Sequence, residues 1–236
     1  MAKRSASRVN RLSAGSAFFA LLLLVPAASF GTWVAIVACP GTLGKTVFFL
    51  TKLWILLLPA VWMLAVDRRQ WTLPQPSKDG MYAACMVGVL TLVIIAAAYA
   101  AVGRHWIDQP AMRARAHEIN LDILWVYVLG AIYWCTINSI LEEYVWRWFV
   151  FTRCEALVGQ VPAIIVSALL FTIHHVIALK AFFDWRVTIL ASLGVFIGSV
   201  MWSWLYLRYR NLWTAYVCHV FADVGIFVIG WMLIFW

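Results

Sequence analysis

Charge is what this 236-residue chain has least of: 12% of it is Asp, Glu, Lys or Arg, against 65% hydrophobic and 16% aromatic residues. A soluble domain of this length carries about twice that share of charge, so this composition excludes one. Acidic residues are scarcest, ten against eighteen Lys and Arg, for a net charge of +8. The five cysteines, Cys39, Cys85, Cys135, Cys154 and Cys218, contain no C-x-x-C pair and mostly lie in apolar runs, which argues against a disulfide framework or a zinc finger. Cys218 precedes His219, but adjacent helical residues point about 100° apart, which argues against a thiol–imidazole nucleophile. There is no low-complexity tract, no obvious repeat and no polar stretch long enough for a soluble domain.

What is present is apolar sequence in runs of spanning length. A transmembrane helix needs about 20 mostly apolar residues, so the chain has room for seven or eight. The expected fold is all-α: a polytopic helical membrane protein of about seven spans with an intramembrane polar cavity, residues 1–236 forming one membrane domain. The spans are read at 14–38, 46–66, 80–102, 121–151, 161–179, 187–207 and 212–236. Ala27-Ala28-Ser29 resembles a signal-peptide cleavage site, but the run around it is longer than a signal sequence needs and reads as a span. The polar segment 103–120 is expected along the membrane surface, with His105 and His117 solvated. Gly194 and Gly198 form a G-x-x-x-G, a helix-packing signature.

Lys and Arg sit at span ends and in short loops, and the fifteen Trp suit interfacial belts, so nucleic acid is excluded as a partner and the bilayer is the expected one. The heavier positive charge falls on the side of the N-terminus, Arg68, Arg69, Lys78, Arg153, Arg208 and Arg210. That side is expected to be cytoplasmic, and the expected location is a bacterial inner membrane.

One stretch breaks the apolar pattern: Ile140-Leu141-Glu142-Glu143-Tyr144-Val145-Trp146-Arg147-Trp148. An ionisable group inside a bilayer costs a few kcal/mol or more and persists where it is paired, hydrated or used. The fourth and fifth spans turn near Val158-Gly159, with Glu142 sixteen positions before the turn and His175 sixteen after it. Two helices would bring both to one level, about 24 Å from the tip. The tip itself, Thr152-Arg153-Cys154-Glu155, is polar enough to protrude. His219 lies eight positions after Asn211, about 12 Å inward from the same side. His219 and Asp223 are i, i+4 neighbours, as are Asn138 and Glu142, and Glu143 and Arg147.

Glu143–Arg147 reads as a structural ion pair, which leaves Glu142 as a candidate general base beside His175, His219 and Asp223, groups able to orient water or stabilise an oxyanion. Zinc-assisted hydrolysis through Glu142, His175, His219 and Asp223 is the alternative mechanism. His174, 100° from His175, is assigned to packing or to support just behind the site, and Phe171 to the pocket wall. A non-catalytic reading, an immunity or scaffold protein or a proton-coupled carrier, stands beside the enzyme, although no paired broken helices support a carrier.

From Leu121 to the C-terminus the chain resembles the CPBP family of membrane-embedded proteases, which includes CAAX prenyl endopeptidases and bacteriocin-immunity-associated relatives. The family pattern E-E-x-x-x-R, F-x-x-x-H and H-x-x-x-N or D is matched by Glu142-Glu143 with Arg147, Phe171 with His175, and His219 with Asp223. Gly198 and Asn211-Leu212-Trp213 also fall at family positions. The resemblance implies a catalytic core over 121–236, in which Glu142 and His175 activate water while His219 and residue 223 stabilise the oxyanion. It implies a membrane-tethered substrate, prenylated or bearing a C-terminal sorting segment, and no cofactor unless the metalloprotease reading of the family applies. Two residues depart from the pattern: Trp148 stands where many members have Gly, and Asp223 replaces the commoner Asn. An ionised carboxylate cannot donate to an oxyanion.

Overall fold

The apolar runs form seven helices long and apolar enough to cross a bilayer in the computed structural model, which describes residues 12–68 and 75–236. In chain order the helices are α1 (Ala14–Ala38), α2 (Thr42–Val66), α3 (Lys78–Trp106), the short polar α4 (Gln109–Glu118), α5 (Leu124–Val158), α6 (Gln160–Phe182), α7 (Trp185–Tyr209) and α8 (Leu212–Phe235). There is no strand among the described residues. The chain is an all-α, multi-pass integral membrane protein. The basic flank 1–11 and the loop residues 69–74, on which the orientation count partly rests, lie outside the described residues.

Local chemistry sets the helix starts. Side-chain oxygens of Ser13, Ser77, Asp108, Asp184 and Asn211 accept from backbone N–H groups that the first turn leaves free, at 2.8–3.1 Å. Gly159, at φ 84°, turns α5 into α6 in a single residue, a backbone conformation that glycine adopts without strain.

α5 runs through the middle of the bundle, touching α1, α2, α6, α7 and α8. It is not a regular helix. Its backbone is π-helical over Trp134–Asn138 and again over Tyr144–Phe151, with one α-helical turn, Ser139–Glu143, between them. π-helical insertions recur at functional sites because they re-aim side chains. Both glutamates of the charged stretch sit on that isolated turn.

Lipid is as apolar as a leucine side chain, so close packing rather than water exclusion holds such helices together. α1 supplies a stripe suited to this: Ala17, Ala20, Leu24, Ala28 and Gly31 are buried, while Phe18, Phe19, Leu22 and Phe30 face outward. Ala28, part of the cleavage-like triplet, is thus inside the bundle. The most extensive pairings are α3 with α8 and α6 with α7, and α1 also packs on α2 and α6, and α7 on α8.

Two expectations are corrected and a third is refined. The 152–155 tip does not protrude as a polar loop. It is the last helical stretch of α5, with Arg153 buried against Asp67 and its guanidinium 4.4 Å from the Phe149 ring, while Glu155 takes a two-pronged contact from Arg210 at 2.5 and 2.7 Å. Long side chains had polar partners within reach, so burying them cost less than exposing the segment. The G-x-x-x-G is not a helix-packing groove: a Cβ on Gly194 would meet open space, and one on Gly198 would press on the Trp202 indole of the same helix at 3.2 Å. The segment 103–120 does carry a surface helix, but α4 is docked: Gln109 and Arg113 both donate to the Leu233 carbonyl at 3.0 Å, capping the end of α8.

Candidate active site

Four helices contribute to one buried polar centre. From α5, Asn138 donates its amide N–H to Glu142 Oε1 at 2.9 Å, realising the i, i+4 spacing. The next residue, Glu143, is fully buried, and its Oε1 lies 2.8 Å from His219 Nδ1 and 3.2 Å from Arg147 Nη1. One carboxylate oxygen therefore faces two cationic or proton-bearing partners. The assigned ion pair is present, and Glu143 also orients a histidine of the site.

Arg147 is held from four directions. Its guanidinium lies 4.8 Å from the Phe171 ring and 4.9 Å from the Trp202 ring, with Nη2 donating to Ser199 Oγ at 2.9 Å and Nη1 directed at Glu143. Desolvated cation–π contacts of this kind are worth about 2 kcal/mol. Phe171 is therefore more than a pocket wall: it is the hub on which Arg147, Trp146, His174 and His175 rest.

On α6, His175 Nδ1 lies 3.1 Å from the Phe171 carbonyl. A carbonyl only accepts, so Nδ1 carries the proton and Nε2 is left with a lone pair. The equal-depth count is realised as well. Ligand atoms of Glu142, His174 and His175 lie within 4.8 Å of one another. His174, expected as packing or as support behind the site, enters the centre: its ring stacks on Trp146 and sits 4.2 Å from the His175 ring, and Nδ1 is buried with no hydrogen-bond partner among the described residues.

On α8, the His219 ring stacks on Trp202 at 3.9 Å. With Nδ1 on Glu143, Nε2 faces Glu142 Oε2 at 3.9 Å and Asp223 Oδ1 at 3.6 Å, both longer than a hydrogen bond. Asp223 Oδ2 contacts Ser139 Oγ at 2.6 Å, and the same hydroxyl lies 2.7 Å from the Trp134 carbonyl. A hydroxyl has one proton, so at any moment it can donate to only one of them.

Of the residues expected from the sequence, Glu142, Glu143, Arg147, Phe171, His175, His219, Asp223 and Asn138 all converge. Ser139, Ser199 and Trp202 were not anticipated as parts of the site. Lys52, in the middle of α2, was not singled out either, although it had a signal: an ionisable residue inside an apolar run. The donors that gather for a metal are Glu142, His174 and His175 rather than the expected set of four, and two imidazoles with a carboxylate suit zinc.

The site's sequence can now be set beside known proteins. Residues 123–225 match the family model described as type II CAAX prenyl endopeptidase, Rce1-like. That span contains every expected site residue from Asn138 to Asp223 and agrees with the CPBP resemblance of the three motifs. No curated protein and no solved structure gives a significant match to the chain.

Proposed function

From the Rce1-like match over residues 123–225 and the geometry around Glu142, we propose that this chain is an intramembrane endopeptidase that hydrolyses a peptide bond in a membrane-tethered or C-terminal segment. Its substrate would be a prenylated tail or a C-terminal sorting helix. Residues 121–236 form the catalytic core of a single membrane domain, and the site opens toward the cytoplasmic half of a bacterial inner membrane with the N-terminus inside.

Water held between Glu142 and His175 Nε2 gives up a proton to Glu142 and attacks the scissile carbonyl. The oxygen of the tetrahedral intermediate takes its hydrogen bond from Nε2 of His219 in its imidazolium form, whose Nδ1–H Glu143 holds. Glu142 then returns the proton to the leaving amine. Asp223 acts through Ser139 and His219 and does not itself donate to the oxyanion. If zinc is bound, Glu142, His174 and His175 hold it, and it would supply Lewis-acid polarisation.

The observation that carries this reading is the gathering of the half-buried Glu142, His174 and His175 donors within 4.8 Å of one another at lipid depth. The test is cleavage of a tethered reporter by purified protein in nanodiscs. Glu142→Gln should lower the rate by about 10²- to 10⁴-fold, the usual worth of a general base. Cleavage at the unaltered rate would sink the mechanism, and stoichiometric zinc whose removal abolishes activity would replace it with the metal one.

A further inference from the structure

Lys52 is an ionisable side chain deep within a span that neither the fold nor the proposed chemistry uses. It is ten residues beyond Thr42 in α2, so about 15 Å of helix separates it from that end, and more from the other. This is too deep for a lysine stem to carry its charge to the headgroups. It is half-buried, and among the described residues it has no carboxylate in salt-bridge range and no hydrogen bond. The Phe48 ring of its own helix lies 5.6 Å from Nζ. A cation kept there unpaired is a functional signal by default.

A neighbouring contact fixes its level. One turn further along α2, the Leu56 carbonyl accepts from the Tyr144 hydroxyl at 3.1 Å, and Tyr144 is two residues past Glu142. As second and fourth crossings, α2 and α5 run the same way, so Lys52, about 6 Å before Leu56, stands level with the turn that carries Glu142. α2 packs against the Tyr144–Phe151 stretch of α5, so the lysine stem starts one helix away from the polar centre, at its depth.

We propose that Lys52 is an anion subsite of the cavity and takes the free C-terminal carboxylate of the substrate segment. The proposal rests on the endopeptidase reading. A peptide end brought to this depth carries a charge as costly as the lysine's own, and pairing the two relieves both. Lipid phosphates, at the ends of the spans, do not reach it. Such an anchor would measure the cut from the chain end, selecting a terminal tail over an internal bond.

The test uses the full chain in phosphatidylcholine nanodiscs with palmitoylated peptides of randomised sequence, made once with a terminal carboxylate and once with a carboxamide. The acid pool should be cleaved about 10- to 100-fold faster by kcat/KM, the worth of a hydrogen bond to a charged group. Lys52→Met should bring the acid-to-amide ratio to about one, chiefly through KM, and Lys52→Arg should keep most of the preference. A wild-type ratio of one overturns the proposal. So does a Lys52→Met variant slower on both pools with its ratio intact, which would mean that Lys52 acts only through its field on Glu142. Loss of the preference when phosphatidylglycerol replaces phosphatidylcholine would hand the site to lipid. If neither pool is cut, photo-crosslinking to Glu142→Gln protein decides: acid-selective capture erased by Lys52→Met keeps the subsite and drops the hydrolase, and unselective capture drops the subsite.

Discussion

Two arginines on α5 are buried beside a carboxylate, six residues apart, and they do different jobs. Arg153, near the end of the helix, pairs with Asp67 at the end of α2, and Asp67 also takes a contact from Ser16 Oγ of α1, itself an acceptor of the Trp62 indole N–H. That network ties three helices together and touches nothing reactive. Arg147 pairs with Glu143, and the same Glu143 oxygen is 2.8 Å from His219. The end pair fastens helices, whereas the central pair also sets the direction of an imidazole. Burial is alike in the two cases, so what separates a brace from a site component is whether the carboxylate has a second partner that can move a proton.

The largest effect expected is at the centre. Arg147→Met takes the guanidinium from the fully buried Glu143 and leaves it His219 alone, which costs up to about 3–5 kcal/mol of stability. Cleavage per folded molecule should also collapse, because His219 loses the geometry of its Nδ1 partner. Arg147→Lys should not rescue it, since an ammonium cannot fill the planar slot between Phe171 and Trp202. Thermal unfolding in detergent and reporter cleavage below the melting transition measure the two losses separately. Normal turnover in the folded fraction would make the central pair a brace like the other.

At the end pair, Arg153→Met alone should again cost about 3–5 kcal/mol, but Asp67→Leu with Arg153→Met should recover most of it, because removing both charges removes the need for pairing. Cleavage per folded molecule should be unaffected by either change. A double variant with intact stability and lost activity would show that the end pair reaches the site after all.

Much of this was legible in the sequence for one reason: span length and helical rise are fixed, so counting from Gly159 placed Glu142 and His175 at one level, and i, i+4 spacing joined Asn138 to Glu142 and His219 to Asp223. Angular position was not legible. His174 and His175 start 100° apart, yet their rings end 4.2 Å apart because both lean over Phe171 toward the same cleft. The two π-helical stretches of α5 displace the helical wheel on either side of the glutamates, and no residue type marks them. Partners far apart in sequence, such as Ser199 for Arg147 and Asp67 for Arg153, depend on which helices pack, and apolar runs alike in composition do not encode that.

The limiting case of the comparison is a pair left in water. His117 and Asp122, between α4 and α5, approach to 2.7 Å with the histidine side chain 81% exposed. The hydrogen bond to the Asp122 carboxylate, and then its charge, holds the His117 imidazole above its ordinary value, while the same bond to His117 holds Asp122 below its own. The signs follow from linkage. The contribution of His117 is fully present below the unfolded histidine pKa and is lost as pH rises through its raised folded value. That of Asp122 is present above the unfolded aspartate pKa and is lost as pH falls through its lowered folded value. The pair therefore exists only in the window between those two folded values. An NMR titration of His117 should show a raised midpoint that returns to the ordinary range in Asp122→Asn, with thermal stability at neutral pH scarcely changed by that substitution. A clear loss of stability would mean that this exposed pair braces the join between α4 and α5 as the buried one braces α2 and α5, and that exposure does not sort the three pairs.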